Sequence, residues 1–291
     1  MPLKKLLFFG TPDIATPTLE ALAEAENIEV LAVCVFPDRK VGRKQILIPC
    51  PVKASAEKLG LSIEEIGSKD DLVNVIKKYD FDLGIVIAFG MIFPGEVLES
   101  GKFVNVHFSL LPQYRGASPV QSAILNSDKV SGITFQLMEK ELDAGDILFQ
   151  KEFPIEGKST SNVFQAFAEF TAELLPEFLE QDWNSHPQNN DDATFCTKFK
   201  KSDGEIFPVK ETAKVIYQKF LAFDLFPGIY KATNKGNVKL TDVSLEPSEH
   251  SYELHCDKNT ILFVDEAQVP GKIPMPIQEI LRGAPGLFGK M

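Results

Sequence analysis

Four segments constrain this chain more than any bulk property: LLFFG (6–10), IEVLAVCVF (28–36), FDLGIVIAFG (81–90) and KFVNVHFS (102–109). The first three are apolar nearly throughout, as strands are when both faces of their sheet are covered. Helical stretches separate them. TPDIATPTLEALAEA carries prolines at its start, where a missing N–H costs little. A second helix is expected over about 52–59. SKDDLVNVIKKY (68–79) sets Leu72, Ile76 and Tyr79 on one face behind Ser68 as N-cap. Further helices are read near 118–126 and over 160–181, and strands near 131–139 and 146–153. Strands alternating with helices imply a Rossmann-like, mainly parallel, doubly wound α/β sheet.

The pattern changes after the long helix, whose stripe is Phe164, Phe167, Phe170 and Leu174. DWNSHPQNNDDATF (182–195) is polar and aperiodic, which reads as a linker. Short strand-like runs follow (EIFPV, GIYKAT, NVKLTDVSL, YELHC, TILFVDEA), separated by turn residues, and favour a small β-barrel or sandwich. The expected organisation is a catalytic domain over 1–181, a linker over 182–200 and a β domain over 201–291. A length of 291 residues suits two domains.

Four scattered cysteines (Cys34, Cys50, Cys196, Cys256) form no CxxC pair, and no histidine stands at metal-ligand spacing from them. Reduced thiols are therefore expected, with no metal site. No stretch approaches the roughly 20 apolar residues of a membrane span. The N-terminal MPLKKLLFFG lacks the cleavage site of a signal peptide, so it reads as a strand in a cytoplasmic, non-membrane protein. The net charge of −11 sits wholly within residues 1–199, while 200–291 carry acid and base in equal number. Tight, indiscriminate nucleic-acid binding is excluded, although the RKVGRK cluster (39–44) can still touch a polyanion. FFGTPD holds one glycine, so GxGxxG is absent, and no GxxxxGK[ST] occurs.

Ligands of open α/β sheets bind beyond the carboxyl ends of the strands. Strand alternation sends Phe103, Asn105 and His107 to one face and Val104, Val106 and Phe108 to the other. LDAGD (142–146) is an acidic turn between two strands at the same end of the sheet. Asn105 can stabilise an oxyanion, His107 can act as general base, and a carboxylate such as Asp143 can orient the ring and stabilise its charged form. No GxSxG elbow surrounds Ser109, so direct attack by an amine or water is favoured over a covalent enzyme intermediate.

With NVHFSLLPQYRGASPVQ followed by LDAGD, the chain resembles the folate-dependent formyltransferases. FFGTPDIATPTLEAL, PDRKVGRK, CPVKASAEKLGL, IVIAFGMIFP and FLAFDLFPGIY resemble the branch of that group that acts on initiator tRNA. The resemblance implies the formyltransferase fold followed by a small OB-like β-barrel that contacts tRNA. It implies 10-formyltetrahydrofolate as donor, methionyl-initiator tRNA as acceptor, no metal and a monomer. An amino-sugar nucleotide is the alternative acceptor. By the same resemblance, His107 takes the proton of the attacking amine, Asn105 stabilises the oxyanion, and Asp143 orients His107 and assists the departing folate nitrogen. Ser109, Leu110, Leu111 and Pro112 would line the folate pocket. Ala88, Phe89, Gly90 and Ile92 would wrap the pterin with backbone groups. Arg39, Lys40, Arg43 and Lys44 would reach the tRNA acceptor end. Phe108 stands where the group often has a small residue, at the expected mouth of the pocket.

Overall fold

A computed structural model describes residues 3–41 and 45–288, the side chains of Val41 and Ile46 excepted. The chain divides into two compact units. One comprises Met1–Pro119, Val130–Pro154 and Phe164–Cys196; the other comprises Val120–Lys129, Ile155–Val163 and Thr197–Met291.

The first unit is built in sequence order from β1 (Lys4–Gly10), α1 (Thr16–Glu24), β2 (Ile28–Val35), a hairpin of β3 (Arg39–Val41) and β4 (Ile46–Ile48), and α2 (Pro51–Leu59). There follow β5 (Ile63–Glu65), α3 (Lys69–Lys78), β6 (Leu83–Ile87), α4 (Gly95–Ser100), β7 (Phe103–His107) and the two-residue β8 (Arg115–Gly116). α5 (Pro119–Leu125) follows and from Val120 onward is counted with the other unit; the first unit resumes with β9 (Val130–Leu137), β10 (Ile147–Pro154), α6 (Thr160–Glu180), of which it takes Phe164 onward, and β11 (Phe195–Cys196). Seven strands make one sheet in the order β10-β9-β7-β6-β1-β2-β5. The five from β7 to β5 are parallel, and β9 and β10 add on antiparallel. The mainly parallel sheet inferred from the apolar strands is thus present, with an antiparallel edge.

The local signals act as their chemistry requires. Ser68 caps α3 by accepting from the Asp71 N–H. Prolines occupy the first turns of α1 and α2. One sheet face carries a core of Leu7, Phe9, Val86, Phe89, Phe93 and Phe103, in which Phe9 meets Phe89, Phe93 and Phe103 edge-on at 5.3–6.1 Å. The opposite face packs on α6. Phe108 lies there, 5.7 Å from the Phe167 ring and 6.2 Å from that of Phe164. Phe108 therefore does not narrow the mouth of a pocket on the His107 side, because alternation turns it to the other layer.

The segment read as a linker is hydrogen-bonded into the first unit as far as Cys196. His186 and Ile147 exchange both backbone hydrogen bonds at 2.8 and 2.9 Å, and β11 pairs parallel with β8.

The second unit contains α7 (Ala213–Ala222), β12 (Ile229–Thr233), β13 (Gly236–Ser244), β14 (Tyr252–Cys256), β15 (Thr260–Gln268), β16 (Met275–Pro276) and α8 (Ile277–Gly283). Its sheet is antiparallel in the order β12-β13-β15-β14, with β16 on β15. Four of the five expected runs form strands. EIFPV does not, making only a bridge from Glu205 to Tyr230. Among the described residues no helix is long and apolar enough to cross a membrane.

Candidate active site

β7 delivers Asn105 and His107 to the carboxyl end of the parallel strands, two residues apart and on one face. Antiparallel β9 sets Gln136 opposite Asn105 and Thr134 opposite His107. The β9–β10 loop then brings Asp143 over this pair. Asp143 Oδ1 accepts from Gln136 Nε2 at 3.0 Å and from Asn105 Nδ2 at 3.4 Å, while Oδ2 accepts from the Gly116 N–H at 2.9 Å. Three donors hold a carboxylate whose own φ is +53°, a left-handed conformation that Asp tolerates better than most residues.

His107 is buried, and its two nitrogens have different surroundings. Nε2 lies 2.9 Å from the Tyr114 carbonyl oxygen, and Nδ1 faces Asp143 Oδ1 at 3.7 Å. A carbonyl oxygen only accepts, so Nε2 carries a hydrogen; in the neutral ring Nδ1 then holds the lone pair. Tyr114 O thus orients the ring by hydrogen bonding. Asp143 sits beyond hydrogen-bond length and is placed to stabilise the imidazolium once Nδ1 gains a proton. The sequence reading had given the orienting role to Asp143 alone.

The loop after β7 is pinned along its length. Ser109 is fully buried; its hydroxyl donates to Gln113 O at 2.6 Å and its carbonyl accepts from Thr134 Oγ1 at 2.6 Å. It shapes the turn. Leu110, Leu111 and Pro112 line a cavity of about 570 Å³, together with Gln113, Gln150, Glu152 and Asp192. Gln150 secures this wall by donating to Leu111 O at 2.8 Å.

The segment 88–92 leaves the end of the neighbouring strand β6. Phe89 is 2% exposed, and its ring is stacked on that of Phe36 at 4.7 Å. Ala88 and Gly90 have φ of +49° and +76°, and Ile92 is 69% exposed. None of these residues lines the cavity beside Leu110. Arg39 and Lys40 are exposed on β3, and Arg43 and Lys44 lie outside the described residues. Lys53 ties the base of this hairpin by donating to Asp38 Oδ2 at 2.7 Å and Glu65 Oε1 at 2.6 Å; those hydrogen bonds, Asp38 first, hold its ammonium pKa above the ordinary range. Among the described residues no group of three or more His, Cys, Asp or Glu could hold a metal ion.

A family model described as "Formyl transferase" matches residues 4–179, and one described as "Formyl transferase, C-terminal domain" matches 198–285. The chain is 38% identical over an alignment 299 residues long to a methionyl-tRNA formyltransferase of Campylobacter jejuni, covering 97% of each. It belongs to the methionyl-tRNA formyltransferase family. A second member, from a Sulfurovum species, is 40% identical over 233 residues, covering 78% of this chain and 75% of the relative. Among solved structures, HypX of Aquifex aeolicus in complex with tetrahydrofolic acid superposes with a TM-score of 0.64 at 16% identity. That alignment covers 97% of this chain and 47% of the longer HypX chain, and it shows a shared fold.

Sequence reasoning missed several residues of the candidate site in this member of the methionyl-tRNA formyltransferase family. Thr134 and Gln136 are 0% and 2% exposed polar residues in a mostly apolar strand, and their spacing of two, alternating with Ile133, Phe135 and Leu137, was the available signal. Gln188 and Thr194 sit in the stretch read as a linker and hydrogen-bond back onto the loop after β7 and the Asp143 loop. Tyr114 acts through its carbonyl, which leaves no mark on residue type.

Proposed function

We propose that the chain transfers the formyl group of 10-formyltetrahydrofolate to the free amine of methionyl-initiator tRNA. The observation that carries this is the convergence of Asn105, His107 and Asp143 at the carboxyl end of β7, within a chain aligned from end to end with methionyl-tRNA formyltransferases. The amine nitrogen attacks the formyl carbon. His107 Nδ1 accepts the proton that the nitrogen loses, and Asp143 stabilises the resulting imidazolium. The Asn105 amide donates to the oxyanion of the tetrahedral intermediate. The bond between carbon and folate N10 then breaks as the His107 imidazolium, assisted by Asp143, returns its proton to N10. The walls at Leu110–Pro112 hold the folate, and backbone groups of 88–92 are its polar partners. Arg39, Lys40, Arg43 and Lys44 meet the acceptor end of the tRNA, and residues 201–291 supply further tRNA contacts. The protein works as a cytoplasmic monomer.

The test is an acceptor competition. Purified protein is given 10-formyltetrahydrofolate with charged initiator tRNA and an amino-sugar nucleotide together. Formylmethionyl-tRNA as the main product supports the reading, and formylated sugar alone refutes it.

A further inference from the structure

The geometry points to Gln188 as a positioning residue: it joins the buried Arg115 to the Asp143 loop and holds that loop's backbone so that the carboxylate stays over Asn105 and His107. The inference rests on the reading of His107 and Asp143 as the reacting pair.

Arg115 is 2% exposed, and its acceptors are neutral amides. Its Nε and Nη2 donate to Gln188 Oε1 at 3.0 and 2.8 Å, and Nη2 also donates to Asn190 Oδ1 at 2.8 Å. The other end of the Gln188 amide faces the catalytic loop. Nε2 donates to Asp143 O at 2.9 Å and Gly145 O at 2.8 Å, with Gln136 Oε1 at 3.4 Å. One amide therefore uses both its acceptor and its donor ends. The guanidinium polarises it in the direction that strengthens its donation.

The loop needs such a clamp. Asp143 holds a φ of +53°, which persists only where surrounding contacts over-determine it. At Gly145 a Cβ would stand 1.8 Å from Leu137 O, so the loop is pressed against β9 there. Two of the carbonyls in this tight stretch, those of Asp143 and Gly145, are the ones that Gln188 satisfies. Gln188 is itself fixed by the pairing of His186 with Ile147 and by Ser185 Oγ, which donates to Asp146 Oδ2 at 2.9 Å. The polar stretch after α6 is thus a clasp whose contact with the chemistry is made by one amide. Gln188 does not touch substrate; it acts through Asp143.

Two variants separate the ends of the amide. Gln188→Glu keeps an acceptor for Arg115 and removes the donor to the loop. Gln188→Met keeps the length and removes both. Asn190→Ala is the control, since it weakens only the brace on Arg115. With folding confirmed by circular dichroism and melting, Gln188→Glu and Gln188→Met lower kcat by roughly 10- to 100-fold. KM for the folate donor stays within about threefold of the parent in both, the sign of lost transition-state positioning. Asn190→Ala stays near the parent rate. Added to Asp143→Asn, Gln188→Glu costs little more, because both act through one group. Should Gln188→Met fail to fold, Gln188→Glu decides alone. A Gln188→Glu enzyme within twofold of the parent kcat, or an Asn190→Ala loss as large as that of Gln188→Glu, overturns the inference. His107→Asn is run beside them. If it keeps the parent rate, the reading of the reacting pair fails; if it is inactive while Gln188→Glu is normal, only the role of Gln188 fails.

Discussion

His107 Nε2 lies 2.9 Å from the backbone carbonyl of Tyr114, seven residues along the chain. This one contact decides which nitrogen of the ring can act as a base. With Nε2 committed as a donor, Nδ1 is left to take a proton beneath Asp143. The carboxylate then contributes by charge more than by a hydrogen bond.

That division separates two variants of Asp143. Asp143→Asn keeps the acceptor for Gly116 and tolerates a positive φ, but it turns an amide N–H toward Gln136 and Asn105, so the charge and the bonds accepted by Oδ1 are lost together. A fall in kcat of about 100-fold or more is expected, with a smaller drop in melting temperature than alanine gives. Asp143→Ala is expected to lose the same activity and also to be destabilised by about 1–3 kcal/mol, because alanine is strained at this backbone angle. Steady-state rates with thermal melts on both variants check the distinction.

Gly116→Ala tests the floor of the site. Gly116 has φ of +120°, and a Cβ there would lie 2.1 Å from the Cys196 carbonyl oxygen. β8 must then separate from β11, moving the N–H that holds Asp143 Oδ2. Destabilisation of about 1–3 kcal/mol is expected, together with a loss of activity that exceeds the folded-fraction loss at assay temperature. Denaturant titration and initial rates measure the two effects separately.

Thiol labelling probes the core. Burial pushes the Cys34 thiol far above its usual range and the Cys256 thiol up to about 11. At pH 8 both remain protonated as well as enclosed, and only a thiolate attacks an alkylating reagent. Iodoacetamide should therefore modify Cys50 and Cys196, which are half-buried, in the native protein. Cys34 and Cys256 should react only after unfolding. Peptide mass spectrometry after timed labelling reads the order.

The proposed tRNA contact has an ionic signature. Arg39 and Lys40 stand exposed on β3, and each phosphate they neutralise contributes about one unit to the slope of log affinity against log salt. Arg39→Ala with Lys40→Ala should flatten that slope by about two units and leave the folate KM unchanged. Filter binding of initiator tRNA across a salt series measures it.

The sheet was legible because its strands are apolar and lie between capped amphipathic helices. β5 was not, since its three residues Ile63-Glu64-Glu65 give no period to read. α7 escaped notice because KVIYQKFLAF carries aromatic and β-branched residues that also suit a strand. Asn105 and His107 were legible as an alternation ending a strand, and Asp143 as an acidic turn at the same end. The remainder of the site is tertiary. Gln188 reaches Asp143 across 45 residues through a stretch with no period of its own, and Tyr114 contributes a carbonyl that any residue would carry.

Single-turnover formyl transfer tests the central claim most directly. Parent and His107→Asn proteins are each mixed, at saturating 10-formyltetrahydrofolate, with limiting methionyl-initiator tRNA, and formylmethionyl-tRNA is followed with time. Loss of the base predicts a rate lower by about 100- to 10,000-fold in the variant, with tetrahydrofolate binding retained. A His107→Asn rate within a few fold of the parent would contradict the account.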